Sequence, residues 1–201
     1  MTCRGIPVVA LMLLAASARG QEPVPDLKPG LYAVFETSEG TITALLYDKY
    51  VPNAVSTFVG LATGTKSWLD PKTKAMVKRP MYNGITFHRV VREQMIQSGD
   101  PTGLGSHNCG FTVRDEFLPG LRFDGPGRLA VANTGQQDSG ACQWFITDQA
   151  MPQWSGKYTI FGQVVSGQQV VTKINRVRTV NEKPVTPVML NRVLVRRVVK
   201  N

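Results

Sequence analysis

Ile85-Thr86-Phe87-His88-Arg89-Val90-Val91 sets an arginine into a run otherwise rich in apolar residues, and Met95-Ile96-Gln97-Ser98-Gly99-Asp100 follows with a polar–apolar alternation that ends in a Gly-Asp turn. With the period of two that a strand imposes, Ile85, Phe87, Arg89 and Val91 fall on one face. A guanidinium on an apolar face is costly unless an anion or a strong hydrogen-bonding group meets it. Two readings follow: a buried ion pair, or an arginine that is the working group of a site.

Outward from this stretch, residues 31–37 alternate as a strand, Ser38-Glu39-Gly40 makes a turn, and residues 41–47 return as its hairpin partner. Pro52 stands where a first-turn proline belongs. Val55, Phe58, Val59 and Ala62 follow at helical spacing, and Gly64 closes the segment. Residues 65–80 are polar, basic and contain Pro71, which predicts a loop or irregular insertion. Further strands are predicted at 85–91, 95–97, 112–113, 128–132, 143–147, 159–165 and 188–199, with a second helix at 168–175. Many short strands between Gly-rich turns, with two helices, predict a closed or sandwiched antiparallel β-structure in one domain.

The chain has 201 residues, 42% of them hydrophobic, with 19 Gly and 13 Pro, enough for one domain with a sizeable core. No apolar run reaches the roughly 18–20 residues of a membrane-spanning helix. At the N-terminus, Arg4, the apolar run from Ile6 to Ala16, and Ala16-Ser17-Ala18 have the layout of a secretory signal peptide covering residues 1–20, against the alternative of a retained anchor. Cleavage after Ala18 or after Gly20 fits, and Cys3 lies too early for lipid attachment. Residues 21–30, with Pro23, Pro25 and Pro29, read as an extended leader into a domain spanning 31–201. Export is therefore expected. Loss of Arg4 and Arg19 with the signal lowers the formal charge from +9 to +7. The basic clusters at Lys66, Lys72, Lys74, Lys78 and Arg79 and at Arg192, Arg196, Arg197 and Lys200 read as solvated surface. Neither carries the interleaved aromatics of a nucleic-acid site. Of three cysteines the mature chain keeps Cys109 and Cys142, which permits one disulfide or two separate thiols.

Three strands pair a polar residue with an apolar one across a two-residue step: Arg89 with Phe87, Met95 with Gln97, and Gln143 with Phe145. If these faces converge, they make a shallow apolar patch edged by an arginine and two amides, suited to an extended peptide. The patch contains no nucleophile–base pair, no metal-ligand spacing and no phosphate-binding glycine loop, which argues against covalent or metal chemistry there. His88 and His107 are the two histidines, and alternation turns His88 away from Arg89, so it reads as a core residue or one that supports the site from behind.

Phe87-His88-Arg89-Val90, Gln97-Ser98-Gly99-Asp100, Asp115-Glu116-Phe117, Leu129-Ala130-Val131-Ala132-Asn133, Gln143-Trp144-Phe145-Ile146 and Phe161-Gly162-Gln163-Val164, in this order, resemble the signature blocks of the cyclophilin-type peptidyl-prolyl cis-trans isomerases. The resemblance runs from about Leu31 to the last strand. It implies a mainly β fold, an eight-stranded antiparallel closed barrel capped by two α-helices, and rotation about Xaa-Pro bonds of extended polypeptides without a cofactor. It assigns catalysis to Arg89 and the proline pocket to Met95, Phe145 and Trp154, with Tyr158 beside it. Gln97 and Gln143 would bond the substrate backbone, and Ala132 and Asn133 would pair with residues preceding proline. Gln94 and Gln153 stand where the family usually has aromatics, which implies a shallower pocket, weaker turnover and poor affinity for cyclosporin. Residues 134–142 match the bacterial form of that loop. The resemblance also brings Cys109 beside Cys142, as a disulfide stapling two lips of the groove. It implies folding assistance to exported proteins, against the alternative of a proline-peptide binding module with little turnover. A monomer without nucleic-acid partners or stable membrane insertion is expected.

Overall fold

The structure, a computed structural model, describes residues 27–200. The predicted signal peptide and the first part of the leader lie outside the described residues. In chain order the elements are β1 (Gly30–Thr37), β2 (Gly40–Leu46), α1 (Pro52–Thr63), β3 (Trp68–Leu69), β4 (Met76–Val77), β5 (Ile85–Thr86), β6 (Arg89–Val91), β7 (Met95–Ser98), β8 (Arg128–Val131), β9 (Trp144–Thr147), β10 (Ile160–Ser166), α2 (Gln168–Asn175), β11 (Thr179–Val180), β12 (Lys183–Pro184) and β13 (Met189–Val198), with a 3₁₀ turn at Pro152–Trp154. The main sheet is antiparallel in the order β5-β13-β1-β2-β10-β8-β9-β7-β6.

Its two edges, β5 and β6, are consecutive in the chain. One bent run of residues therefore serves both ends of a curled sheet, which matches the eight expected strands. The hydrogen-bonded ladder is interrupted at Phe87-His88, so the barrel is not strictly closed. The bend also shifts the side-chain phase. Ile85 and Phe87 are buried, His88 is buried in turn, and Arg89 is exposed while Val90 is buried. The single face predicted for Ile85, Phe87, Arg89 and Val91 does not exist. Arg89 stands on the outer wall, so its guanidinium is not forced into an apolar interior.

The interior is filled from both helices and alternate strand positions. Trp144 sits at its centre, with ring centroids 4.9 Å from Phe35, 6.0 Å from Phe87, and 6.1 Å from both Phe58 and Tyr82. The first helix begins at Pro52 without a side-chain cap from Val51. Its free N–H groups are met instead by Glu116, which accepts from the Asn53 N–H at 3.1 Å and the Ala54 N–H at 2.9 Å. A carboxylate there also complements the positive helix end. At the other end Gly64 adopts φ +79°, a left-handed cap that favours glycine.

Two loop regions are more ordered than their composition implies. Residues 65–80 hold the β3–β4 hairpin, with Trp68 buried, its indole N–H donating to the Arg79 carbonyl at 2.9 Å, and Arg79 paired with Asp70 at 2.6 Å. Residues 179–184 form the β11–β12 hairpin, which the sequence reading left out. Conversely, the strand predicted at 112–113 is one bridge between Val113 and Gly140. The predicted basic surface is partly paired: Arg192 with Glu36 and Arg197 with Asp48, both at 2.6 Å.

His88 lies 7% exposed, and neither ring nitrogen has a hydrogen-bond partner among the described residues. Burial pushes its imidazole below the ordinary value of 6.5, against the opposing pull of the Asp100 carboxylate. The unfolded chain therefore takes up a proton here before the folded one does. The stabilisation from neutral His88 is fully present above 6.5 and is lost as pH falls through the lowered folded value. Scanning calorimetry from about pH 7 to about pH 5 should show a declining unfolding midpoint that His88→Gln flattens. An identical slope in the variant would contradict this assignment.

Candidate functional site

Strands β7, β8 and β9 are neighbours with one shared alternation. Ile96, Leu129, Trp144 and Ile146 point into the barrel, while Met95, Ala130 and Phe145 point outward into a second apolar cluster. On that outer face, Phe145 is the hub. Its ring lies 5.2 Å from Tyr158 and 5.5 Å from Trp154, both edge-on, and 5.9 Å from Phe123, stacked. Phe123 was missed by sequence reasoning, because it sits in a long irregular loop with no periodicity to mark it. The 3₁₀ turn after Met151 brings Trp154 over the cluster and leaves Gln153 exposed.

A cavity of about 300 Å³ opens over this cluster, lined by Arg89, Val91, Gln94, Met95, Gln97, Ala132, Asn133, Phe145, Trp154 and Tyr158. Of the residues expected from sequence to act on or bind substrate, all but Gln143 are on this wall. Gln143 lines an adjoining cavity of about 370 Å³, with which Gln97, Ala132 and Asn133 are shared. Of the two positions where aromatics were expected, Gln94 lines the cavity and Gln153 does not, and Trp154 and Tyr158 supply aromatic surface to the same cavity.

A directed hydrogen-bond relay crosses between the cavities. Arg89 Nη1 donates to Gln97 Oε1 at 3.3 Å, Gln97 Nε2 donates to Gln143 Oε1 at 2.9 Å, and Gln143 Nε2 donates to the Gly105 carbonyl at 3.0 Å. A guanidinium only donates and a carbonyl only accepts, so the two ends fix the orientation of both amides. Arg89 Nε donates to Glu182 at 2.6 Å. Its remaining N–H groups have no protein partner among the described residues and stand at the cavity rim. Both partners of this ion pair are about half exposed, 48% for Arg89 and 47% for Glu182. The arginine is thus neither buried nor internally neutralised.

The frame around these groups is tied together by hydrogen bonds, a close backbone approach and a disulfide. Asn175 of α2 is buried and bonds the β6–β7 turn three times, donating to the Val91 and Met95 carbonyls at 2.8 and 3.1 Å and accepting from the Glu93 N–H at 2.6 Å. It therefore fixes the lip that carries Gln94. Gly99 ends β7 at φ +95°, and a Cβ there would fall 2.5 Å from the Cys142 carbonyl oxygen and 2.8 Å from the Gln143 Cα. This close approach is what sets Gln143 beside Gln97. The structure joins Cys109 to Cys142, with Cα atoms 6.3 Å apart, and both line the larger cavity. The buried Tyr82 hydroxyl, pushed up by burial and so kept as a donor, bonds the Cys142 carbonyl at 2.8 Å. Burial alone would raise the Asp100 carboxyl. Hydrogen bonds from the Thr102 side chain and N–H and from the His107 N–H outweigh it and hold it below the usual range. That ionised carboxylate pins the loop bordering the larger cavity.

Asn133 spends its side chain locally, donating to the Lys157 carbonyl at 2.9 Å and accepting from the Gly135 N–H at 3.1 Å. The Ala132 N–H is held by the Gln143 carbonyl at 3.0 Å. What both residues have left for the cavity is backbone and surface. Among the described residues no cluster of three or more His, Cys, Asp or Glu could hold a metal ion.

The cyclophilin type peptidyl-prolyl cis-trans isomerase/CLD family model matches residues 32–195. The chain is 39% identical over 166 residues to peptidyl-prolyl cis-trans isomerase A of Mycobacterium tuberculosis, covering 81% of this chain and 91% of that protein. It is 38% identical over 169 residues to peptidyl-prolyl cis-trans isomerase B of Streptomyces anulatus, covering 82% and 96%. A crystal structure of a Cryptosporidium parvum cyclophilin type isomerase superposes with a TM-score of 0.70 at 24% identity, over 83% of this chain and 98% of that one. The same parasite protein was also solved in the presence of the dipeptide Ala-Pro. Fold, order of motifs and relatives agree, and the chain belongs to the cyclophilin-type peptidyl-prolyl cis-trans isomerases.

Proposed function

We propose that this isomerase rotates Xaa-Pro bonds of exported, extended polypeptides in the cavity beside Arg89. The observation that carries the reading is the partly unpaired Arg89 guanidinium at the rim of an aromatic-walled cavity of about 300 Å³. The planar prolyl amide resists rotation by about 18–20 kcal/mol, because its nitrogen lone pair is delocalised into the carbonyl. At half-rotation that lone pair localises and becomes a hydrogen-bond acceptor. A donor at the prolyl nitrogen therefore stabilises the twisted state and not the planar one, the differential that lowers a barrier. In this reading Met95, Phe145, Trp154 and Tyr158 hold the proline ring still while the preceding carbonyl swings past Gln97 and Gln143. Ala132 and Asn133 meet the backbone before proline. No step requires electron transfer or a Lewis acid.

The test is turnover of one Xaa-Pro peptide by the mature chain, read by a protease-coupled assay. Catalysis above the spontaneous rate is expected. Binding without turnover would favour the second reading, a proline-peptide binding module, for which Gln94 on the cavity wall is the specific ground. Export rests on the sequence of residues 1–20. N-terminal sequencing of protein made in its own cell should find a new terminus after Ala18 or Gly20. An intact Met1 end would overturn it.

A further inference from the structure

We propose that Glu182 is a positioning residue for Arg89, one that aims the guanidinium into the cavity from outside it. This rests on the reading of Arg89 given above. Glu182 lies in the two-residue turn Asn181-Glu182 of the β11–β12 hairpin, and both residues are left-handed, at φ +48° and +62°. Asn tolerates that conformation. Glutamate does so poorly, and glycine would adopt it freely. The turn is docked on the arginine's own strand, because the Glu182 carbonyl accepts the Val90 N–H at 2.7 Å. The side chain then reaches the residue before Val90, where its carboxylate takes the Arg89 Nε–H at 2.6 Å.

Nε is the N–H that points back along the side chain. Fastening it while Gln97 accepts from Nη1 fixes the guanidinium plane through two of its three nitrogens. The third, Nη2, is left without a protein partner among the described residues. An exposed ion pair of this kind contributes little to stability. Its consequence is orientation: it selects one rotamer of a long, entropically free side chain before substrate arrives.

The experiment compares Glu182→Gly, Glu182→Gln and Arg89→Ala with the unaltered protein, reading kcat, KM and the thermal midpoint. Glu182→Gly relieves the left-handed turn and removes the carboxylate. It should keep or raise the midpoint, while kcat falls about fivefold at unchanged KM. Glu182→Gln retains an acceptor for Nε and should recover part of that loss. Raising salt to about 1 M, where screening acts within about 3 Å, should lower kcat of the unaltered protein but not of Glu182→Gly. In the nitrogen–proton spectrum, the Arg89 Nε–H signal, identified by its absence in Arg89→Ala, should broaden or vanish in Glu182→Gly. Unchanged or higher kcat in Glu182→Gly, with Arg89→Ala still impaired, overturns the inference alone. Absence of turnover in the unaltered protein overturns it together with the reading it rests on.

Discussion

Arg89→Ala should lower kcat/KM for a Xaa-Pro peptide by about one to two orders of magnitude and leave the thermal midpoint almost unchanged. The size follows from the interaction lost. One charge-assisted hydrogen bond is worth about 1.5–3 kcal/mol, and each 1.36 kcal/mol of barrier is about a factor of ten in rate. The midpoint should hold because the side chain is half exposed and supports no part of either apolar cluster. Arg89→Lys should be nearly as damaging as alanine. An ammonium keeps the charge but cannot satisfy Glu182 and Gln97 while presenting a planar donor to the cavity. If Arg89→Ala retained full activity, the role given to this residue would be wrong.

Trp144→Ala should have the largest effect on stability, and it separates fold from site. Trp144 and Phe145 are adjacent, yet strand alternation sends the first to the centre of the barrel and the second to the cavity floor. Truncating Trp144 removes contacts with Phe35, Phe58, Tyr82 and Phe87 at once. A buried tryptophan replaced by alanine costs about 3–5 kcal/mol. For a chain of this size each kcal/mol moves the midpoint by about 2–4 °C, so a fall of about 6–20 °C is expected in calorimetry. Trp144→Phe should cost far less. The indole N–H has no partner among the described residues, so phenylalanine removes an unpaired donor while keeping most of the ring contact. A midpoint shift below about 3 °C for the alanine variant would show that the interior is not organised around Trp144.

Where the chain follows one simple rule over a whole element, the sequence was sufficient. Pro52 and Gly64 bracket α1, Gln168 and Asn175 bound α2, and the alternation through β7 and β9 is unbroken, so both helices and the cavity-bearing strands were legible. Alternation failed at 85–91, because one bent run belongs to two edges of the sheet and reverses phase at His88. The sequence therefore pointed to Arg89 for a mistaken reason, an apolar face that the bend abolishes. Polar composition hid the β3–β4 hairpin, where Trp68 was the available signal of an anchored segment. Asn181 could likewise have marked the hairpin turn that carries Glu182, although glutamate in the left-handed region is not a turn signal. Phe123 and Asn175 act over long separations, through a loop and a helix end, and nothing local announces either.

Catalysis at the Arg89 cavity can be read directly by two-dimensional exchange spectroscopy on a proline-containing peptide with a small amount of labelled protein. Exchange cross-peaks between the cis and trans forms of the peptide are expected. The broadened protein signals should belong to Val91, Gln94, Met95, Gln97, Phe145, Trp154 and Tyr158, around one cavity. Cross-peaks that persist undiminished in Arg89→Ala, or broadening confined to another face such as Phe117 to Arg122, would contradict catalysis at that cavity.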